Sequence, residues 1–310
     1  ASASALLQYV LPAAMTPPQR TPSTPALPYR AEVSRRNPGC LLFLIDQSTS
    51  MNLPFGGSQG DGAESRARRL THAINGLLQE LVVRCTKSQE EGVRPYFDVG
   101  VFGYGSESFG PVLGGALAGQ ALVSIRELAN HPLRLEQGIR SMPDGRGGHV
   151  EVPIRFPIWF ELDALGRTPM CRALDEARAV LHEWARAHPE SMPPLVFNLT
   201  DGEATDGDPA EAAQALREVR TQDGAVLLFN VHLSERTGPP VLYPSSEDGL
   251  PDPFARQLFS MSSPLPPAFR ARFQEEGLAA EDGARAFIFN AGLAEVIRCL
   301  DIGTRLTIRT

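Results

Sequence analysis

Five uninterrupted apolar residues, Leu41 to Ile45, run directly into a carboxylate at Asp46. A run without a polar face is the pattern of a strand buried on both sides in a parallel sheet, and it predicts a central strand over Cys40–Asp46. From Glu64 the period changes. Leu70, Ile74, Leu77, Leu81 and Cys85 recur at steps of four, three, four and four, which predicts one amphipathic helix ending at Cys85. A strand over Tyr96–Tyr104 follows, and beyond Pro169 comes a helix with Leu174, Ala177, Leu181 and Trp184 on one face. A buried strand, Leu195–Thr200, a helix, Pro209–Thr221, and a strand, Ala225–Leu233, complete the alternation. Strands and helices in this order predict an α/β fold: a doubly wound, mostly parallel sheet flanked by helices.

Between Tyr104 and Thr168 the pattern loosens into a short helix near Val123–Ala129 and a β-like segment, Val150–Phe160, after the turn Gly145-Arg146-Gly147-Gly148. Nothing there has the length for a second core, so about 105–167 reads as an insertion in the same domain. The chain past Leu233 reads as a C-terminal extension from about residue 235. It holds helical pieces around Phe254–Phe259 and Pro267–Gln274, an apolar strand Ala286–Phe289 and a helix Leu293–Leu300. At the other end, prolines 12, 17, 18, 22, 25, 28 and 38 come with a single acid, Glu32. This predicts an extended arm over residues 1–30 ahead of one domain spanning 31–310.

Bulk properties narrow the function. A chain of 310 residues, 42% hydrophobic, is large enough for one enlarged domain. Its net charge of -7 repels polyanions, so nucleic acid is not an expected partner. The longest apolar run falls far short of the roughly 20 residues a membrane helix needs, and no basic-then-apolar leader opens the chain; the expectation is a cytoplasmic protein with no membrane partner. Cys40, Cys85, Cys171 and Cys299 are scattered, with no CxxC or Cys/His cluster, which argues for free thiols over zinc or a disulfide scaffold. Lys87 is the single lysine among 29 basic residues, a bias that points to a GC-rich bacterial genome.

The chemistry gathers at predicted strand ends. Asp46-Gln47-Ser48-Thr49-Ser50 offers one carboxylate and two hydroxyls at alternating positions, all hard oxygen donors. Leu199-Thr200-Asp201-Gly202-Glu203 puts a second carboxylate after another strand, ahead of a glycine that permits a sharp turn. In a doubly wound sheet these loops meet at the switch point, and two acids that close call for a cation between them. Thr168, before Pro169 and a helix, brings a third loop to the same edge.

These three segments, D-x-S-x-S, Thr-Pro and T-D-G-E, resemble the metal-ion-dependent adhesion site of von Willebrand factor type A domains, bacterial intracellular members in particular. The resemblance runs from about Cys40 to Leu233. It implies that Asp46, Ser48, Ser50, Thr168 and Asp201 hold Mg2+, or else Mn2+ or Ca2+, with one coordination position left for an acidic residue of a partner protein. It further implies partners such as signalling kinases, phosphatases or AAA-type ATPases, and specificity from loops Asn52–Gly62 and Glu203–Asp208. Arg167 departs from the pattern, since many bacterial relatives carry glycine there, and a charge at that point bears on cation affinity.

Other matches dissolve on inspection. Gly56-Gly57-Ser58-Gln59-Gly60 fits G-x-S-x-G but does not lie directly between a strand and a helix. Asp201, Glu203, Thr205, Asp206 and Asp208 mimic a calcium loop, yet Asp206 stands where that loop needs glycine and Ala212 where it needs a bidentate acid. His182 reads as a surface residue, and the Asn198-Leu199-Thr200 glycosylation pattern falls in a buried strand. The expected function is binding, not catalysis. The alternatives are a scaffold with a purely structural metal and a metal-dependent hydrolase, the latter lacking a visible general base.

Overall fold

The computed structural model describes residues 28–54, 64–88, 90–105, 109–143, 148–233 and 238–305. The arm as far as residue 27, the Gly-rich loop Gly56–Gly62 with its G-x-S-x-G pattern, and most of the turn before Gly148 lie outside the described residues.

In chain order the regular elements are β1 (Gly39–Asp46), α1 (Arg66–Cys85), β2 (Phe97–Tyr104), β3 (Phe109–Pro111), β4 (Val123–Ser124), α2 (Ile125–Asn130), β5 (Arg134–Pro143) and β6 (His149–Ile158). There follow α3 (Met170–Ala187), β7 (Leu195–Thr200), α4 (Ala210–Glu218), β8 (Arg220–Thr221), β9 (Gly224–Ala225) and β10 (Leu227–Leu233). The last are β11 (Val241–Leu242), α5 (Pro253–Met261), α6 (Pro267–Glu275), β12 (Phe287–Ala291) and α7 (Leu293–Arg305).

The main sheet runs β11-β12-β10-β7-β1-β2-β3, with β4 also on β2. Strands β12, β10, β7, β1 and β2 are mutually parallel, while β11, β3 and β4 pair antiparallel at the flanks. From β1 the chain winds one way to β2 and later returns on the other side to β7, so the winding direction reverses between β1 and β7. This is the doubly wound α/β fold that the hydrophobic pattern predicts.

Each central strand feeds two cores because successive side chains point to opposite faces. Leu41, Phe43 and Ile45 enter one core with Leu70, Ile74 and Leu78 of α1 and residues of α6 and α7. Cys40, Leu42 and Leu44 enter the other with Leu174, Ala177 and Leu181 of α3 and residues of α4 and α5. Every residue of β1 is buried, which is why its sequence shows no alternation.

Several boundaries differ from the expectation. The helix expected over Pro209–Thr221 stops at Glu218. Arg220–Ala225 instead folds back as the β8–β9 hairpin, so β10 begins at Leu227 and not at Ala225. At the tip of that hairpin Gly224 has φ 155°, and a Cβ there would lie 2.8 Å from the Tyr29 ring. Tyr29 packs closely enough to donate its N–H to Asp223 O (2.7 Å) and its hydroxyl to Ala225 O (3.1 Å). The helix near Val123 starts at Ile125, because Ser124 caps it with a reciprocal Glu127 contact while Val123 and Ser124 pair with β2. The β-like segment after Gly148 is β6, half of a ten-rung hairpin with β5. The pattern gave no sign of β5, whose Arg134, Glu136 and Arg140 make it polar.

Candidate metal centre

β1 ends at Asp46 and β7 at Thr200, and Ile45 lies opposite Leu199 in their register. The loops leaving both strands therefore emerge side by side at the carboxyl edge. Asp46 is fully buried. Its Oδ1 accepts from the Ser48 N–H (2.8 Å) and its Oδ2 from the Thr200 hydroxyl (2.7 Å). Burial pushes this carboxyl up to about 6, a rise limited by the hydrogen bonds from Thr200 and Ser48 and reinforced by the like charge of Asp201.

The serines link the first loop to the second carboxylate. Ser50 Oγ donates to Asp201 Oδ1 (2.7 Å), and the Ser48 and Ser50 oxygens are 3.0 Å apart. With the Ser50 proton on Asp201, the Ser48 hydroxyl is the donor in that second contact. Asp201 Oδ2 accepts from Arg66 Nη1, a buried guanidinium from the first residue of α1 that also reaches Ser50 O (3.4 Å).

Thr168 closes the group from a third loop. A Cβ placed on Gly202 would lie 3.6 Å from Thr168 Oγ1 and 4.0 Å from Asp46 Oδ2, so the glycine leaves the two oxygens facing a common space. Two clamps fix these loops. In the first, Leu165 N donates to Gln47 O (2.7 Å), Thr49 N to Gly166 O (3.1 Å) and Gly166 N to Thr49 Oγ1 (2.9 Å). In the second, Thr205 N donates to Thr168 O (2.9 Å) and Thr168 N to Thr205 Oγ1 (3.1 Å). Gly103 makes room for the first loop, since a Cβ there would come within 2.1 Å of Gln47 Oε1.

Pro169 offers no side-chain cap to α3. The Asp206 carboxylate supplies it from the loop after β7, accepting from Cys171 N (3.1 Å) and Arg172 N (3.0 Å), which suits the positive end of a helix. Burial pushes the adjacent Cys171 thiol up to about 11, with the Asp206 carboxylate adding to the effect.

Asp46, Ser48, Ser50, Thr168 and Asp201 are thus brought to one place. Glu203 is exposed, and Asp208 instead accepts from Ala210 N (3.0 Å) and Gln257 Nε2 (2.8 Å). Arg167 is exposed as well; the arginine that reaches the carboxylates is Arg66. Thr200, Thr205, Asp206 and Arg66 were not singled out in the sequence as parts of the site. A signal for Arg66 existed: Arg66, Arg68 and Arg69 begin α1 with no acid in its first turn, the wrong end for cations, so one of them needed an acidic partner from elsewhere.

The donor set fits a hard divalent cation, which takes carboxylate, hydroxyl and water oxygens. Among the described residues no group of three or more His, Cys, Asp or Glu side chains could hold a metal, so here hydroxyls must complete what two carboxylates begin. Arg66 already places a positive charge on one of those carboxylates, a protein-borne stand-in for an ion.

No protein-family model matches the chain, and no curated protein matches it either. Among solved structures it is similar to the vWF domain of the type V pili tip protein Mfa5 from Porphyromonas gingivalis, at 14% identity over 55% of this chain and 39% of that one, with a TM-score of 0.24. It is similar to a structure of three N-terminal domains of the same protein, at 14% identity over 54% of this chain and 20% of that one, TM-score 0.24. The PilB minor pilin from Streptococcus sanguinis matches at 10% identity over 87% of this chain and 61% of that one, TM-score 0.40. The chain spans less than two thirds of the length of each. At this distance no function carries across, and among the described residues no helix is long and apolar enough to cross a membrane.

Proposed function

We propose that the chain is a von Willebrand factor type A-like protein-binding module. In this reading Asp46, Ser48, Ser50, Thr168 and Asp201 hold a divalent cation, Mg2+ or else Mn2+ or Ca2+, and the partner is a protein presenting Asp or Glu. The supporting observation is the convergence of two carboxylates and three hydroxyls from three clamped loops at the sheet's switch point. Bound there, the cation supplies a Lewis-acid site for a carboxylate oxygen. Asp46 and Asp201 balance its charge, and the neutral hydroxyls leave it electropositive enough to want another anion. The bacterial origin and cytoplasmic setting expected from the sequence, and the signalling partners implied by the family resemblance, belong to this proposal.

The test is thermal unfolding of wild type and Asp46→Ala against Mg2+, Mn2+ and Ca2+, with EDTA controls. An ion present at about 100 times its Kd stabilises the native state by about 2.7 kcal/mol. Wild type should show a saturable rise in midpoint that Asp46→Ala lacks, and an aspartate-containing peptide should then displace inner-sphere water from the Mn2+ form, read by water-proton relaxation. No rise with any of the three ions, in wild type or in Arg66→Gln, would sink the metal reading. A rise without peptide binding would leave a structural metal, and turnover of a phosphoester or peptide substrate would replace binding with hydrolysis.

A further inference from the structure

We propose that Arg66 is an internal competitor for the divalent cation, holding Asp201 in the ion-free protein and keeping cation affinity low. The inference rests on the metal-binding reading above and concerns its regulation.

The pair is almost closed to water, with side-chain exposures of 4% for Arg66 and 1% for Asp201. A buried pair of this kind is a poor stabiliser compared with apolar side chains of similar volume, because both charges lose their hydration. Its position is also unfavourable for a cation, the first turn of a helix with no acid of its own. Among its contacts the guanidinium donates to Asp201 Oδ2, while Asp201 Oδ1 is held by Ser50.

Among the described residues Asp46 has no such counter-charge in hydrogen-bond contact; its oxygens accept from the Ser48 amide and the Thr200 hydroxyl. A divalent ion bridging Asp46 and Asp201 would therefore meet a guanidinium already bound to the same carboxylate, in surroundings where like charges are weakly screened. Without Arg66 the like charges of Asp46 and Asp201, which already act on each other, would lose the positive group that holds Asp201 Oδ2. The same side chain thus stabilises the ion-free site and opposes its filling.

The experiment measures the Mn2+ Kd of wild type and Arg66→Gln from the electron paramagnetic resonance signal of free Mn2+, alongside melting in EDTA and in saturating Mn2+. The expected result is about tenfold or tighter binding by Arg66→Gln, with a midpoint below wild type in EDTA that Mn2+ restores. Binding by Arg66→Gln where wild type shows none supports the proposal equally. If both bind and Arg66→Gln binds no tighter, Arg66 positions Asp201 for the ion, and competition is overturned while the metal reading stands. If neither binds and circular dichroism shows both folded, both readings fall. Should Arg66→Gln not fold, Arg66→Met decides: it removes the charge while keeping much of the buried volume, so tighter binding supports competition and unchanged binding overturns it.

Discussion

On one face of the central sheet three phenylalanines stack across adjacent strands, Phe43 against Phe197 (5.5 Å between centroids) and Phe197 against Phe229 (5.0 Å). On the other face β2, β7 and β10 carry hydrogen bonds. Tyr104 donates its hydroxyl to Asn198 Oδ1 (2.7 Å), Asn198 Nδ2 to Asn230 Oδ1 (2.9 Å), and Asn230 Nδ2 to Ser262 Oγ (3.0 Å). The Thr200 hydroxyl sits beside Tyr104 and reaches Asp46, so the string of polar side chains ends at the candidate metal centre. The aromatic face tolerates any apolar filling of similar volume. The polar face does not, since each buried group depends on a particular neighbour. The side that must place Asp46 accurately is the side built from directional contacts.

Mutations should separate the two faces. Phe197→Ala removes the middle ring of the stack and should cost about 3–5 kcal/mol, seen as a lower denaturant midpoint, with the cation response of the remaining folded protein intact. Asn198→Ala should cost less in stability, about 2–3 kcal/mol for stranding the Tyr104 hydroxyl and the Asn230 amide oxygen, yet more in cation response. Equal effects on that response from both variants would erase the distinction between the faces. The smallest effect is that of acid. Asp46 holds its proton to about 6 when folded against 3.8 in its ordinary state, so between those values the native state binds more protons than the unfolded chain. Ion-free stability should therefore fall as pH rises through that window, by roughly 2 kcal/mol. Saturating Mn2+, which displaces the proton, should reverse the slope. Urea melts from pH 4 to pH 7 with and without Mn2+ check the sign.

The buried strands were legible because a strand covered on both faces is largely apolar, as Leu41–Ile45 is throughout and Leu195–Leu199 is apart from Asn198. The site was legible where chemistry and position coincide: Asp46, Ser48, Ser50, Thr168 and Asp201 all sit where a strand ends or a helix begins. Strand β5 was not, because its exposed, charged residues leave no hydrophobic period to read. Short pairings such as β3 and β11 are held by their neighbours and not by their own sequence. Arg66 has a role that depends on a carboxylate 135 positions away, a partner that its place at a helix start does not specify.

That separation bears on biosynthesis. Ser50 meets Asp201 across 151 positions and Thr200 meets Asp46 across 154, while the Thr168 clamp to Thr205 spans 37. Contacts so remote in sequence form late, because the long loops they close cost entropy before any contact rewards them. A growing chain therefore emerges with Asp46 exposed and without its counterpart until β7 follows, and the candidate metal centre forms only after it. A divalent ion would then bind selectively to chains whose sheet has already closed, and so distinguish finished molecules from partly folded ones.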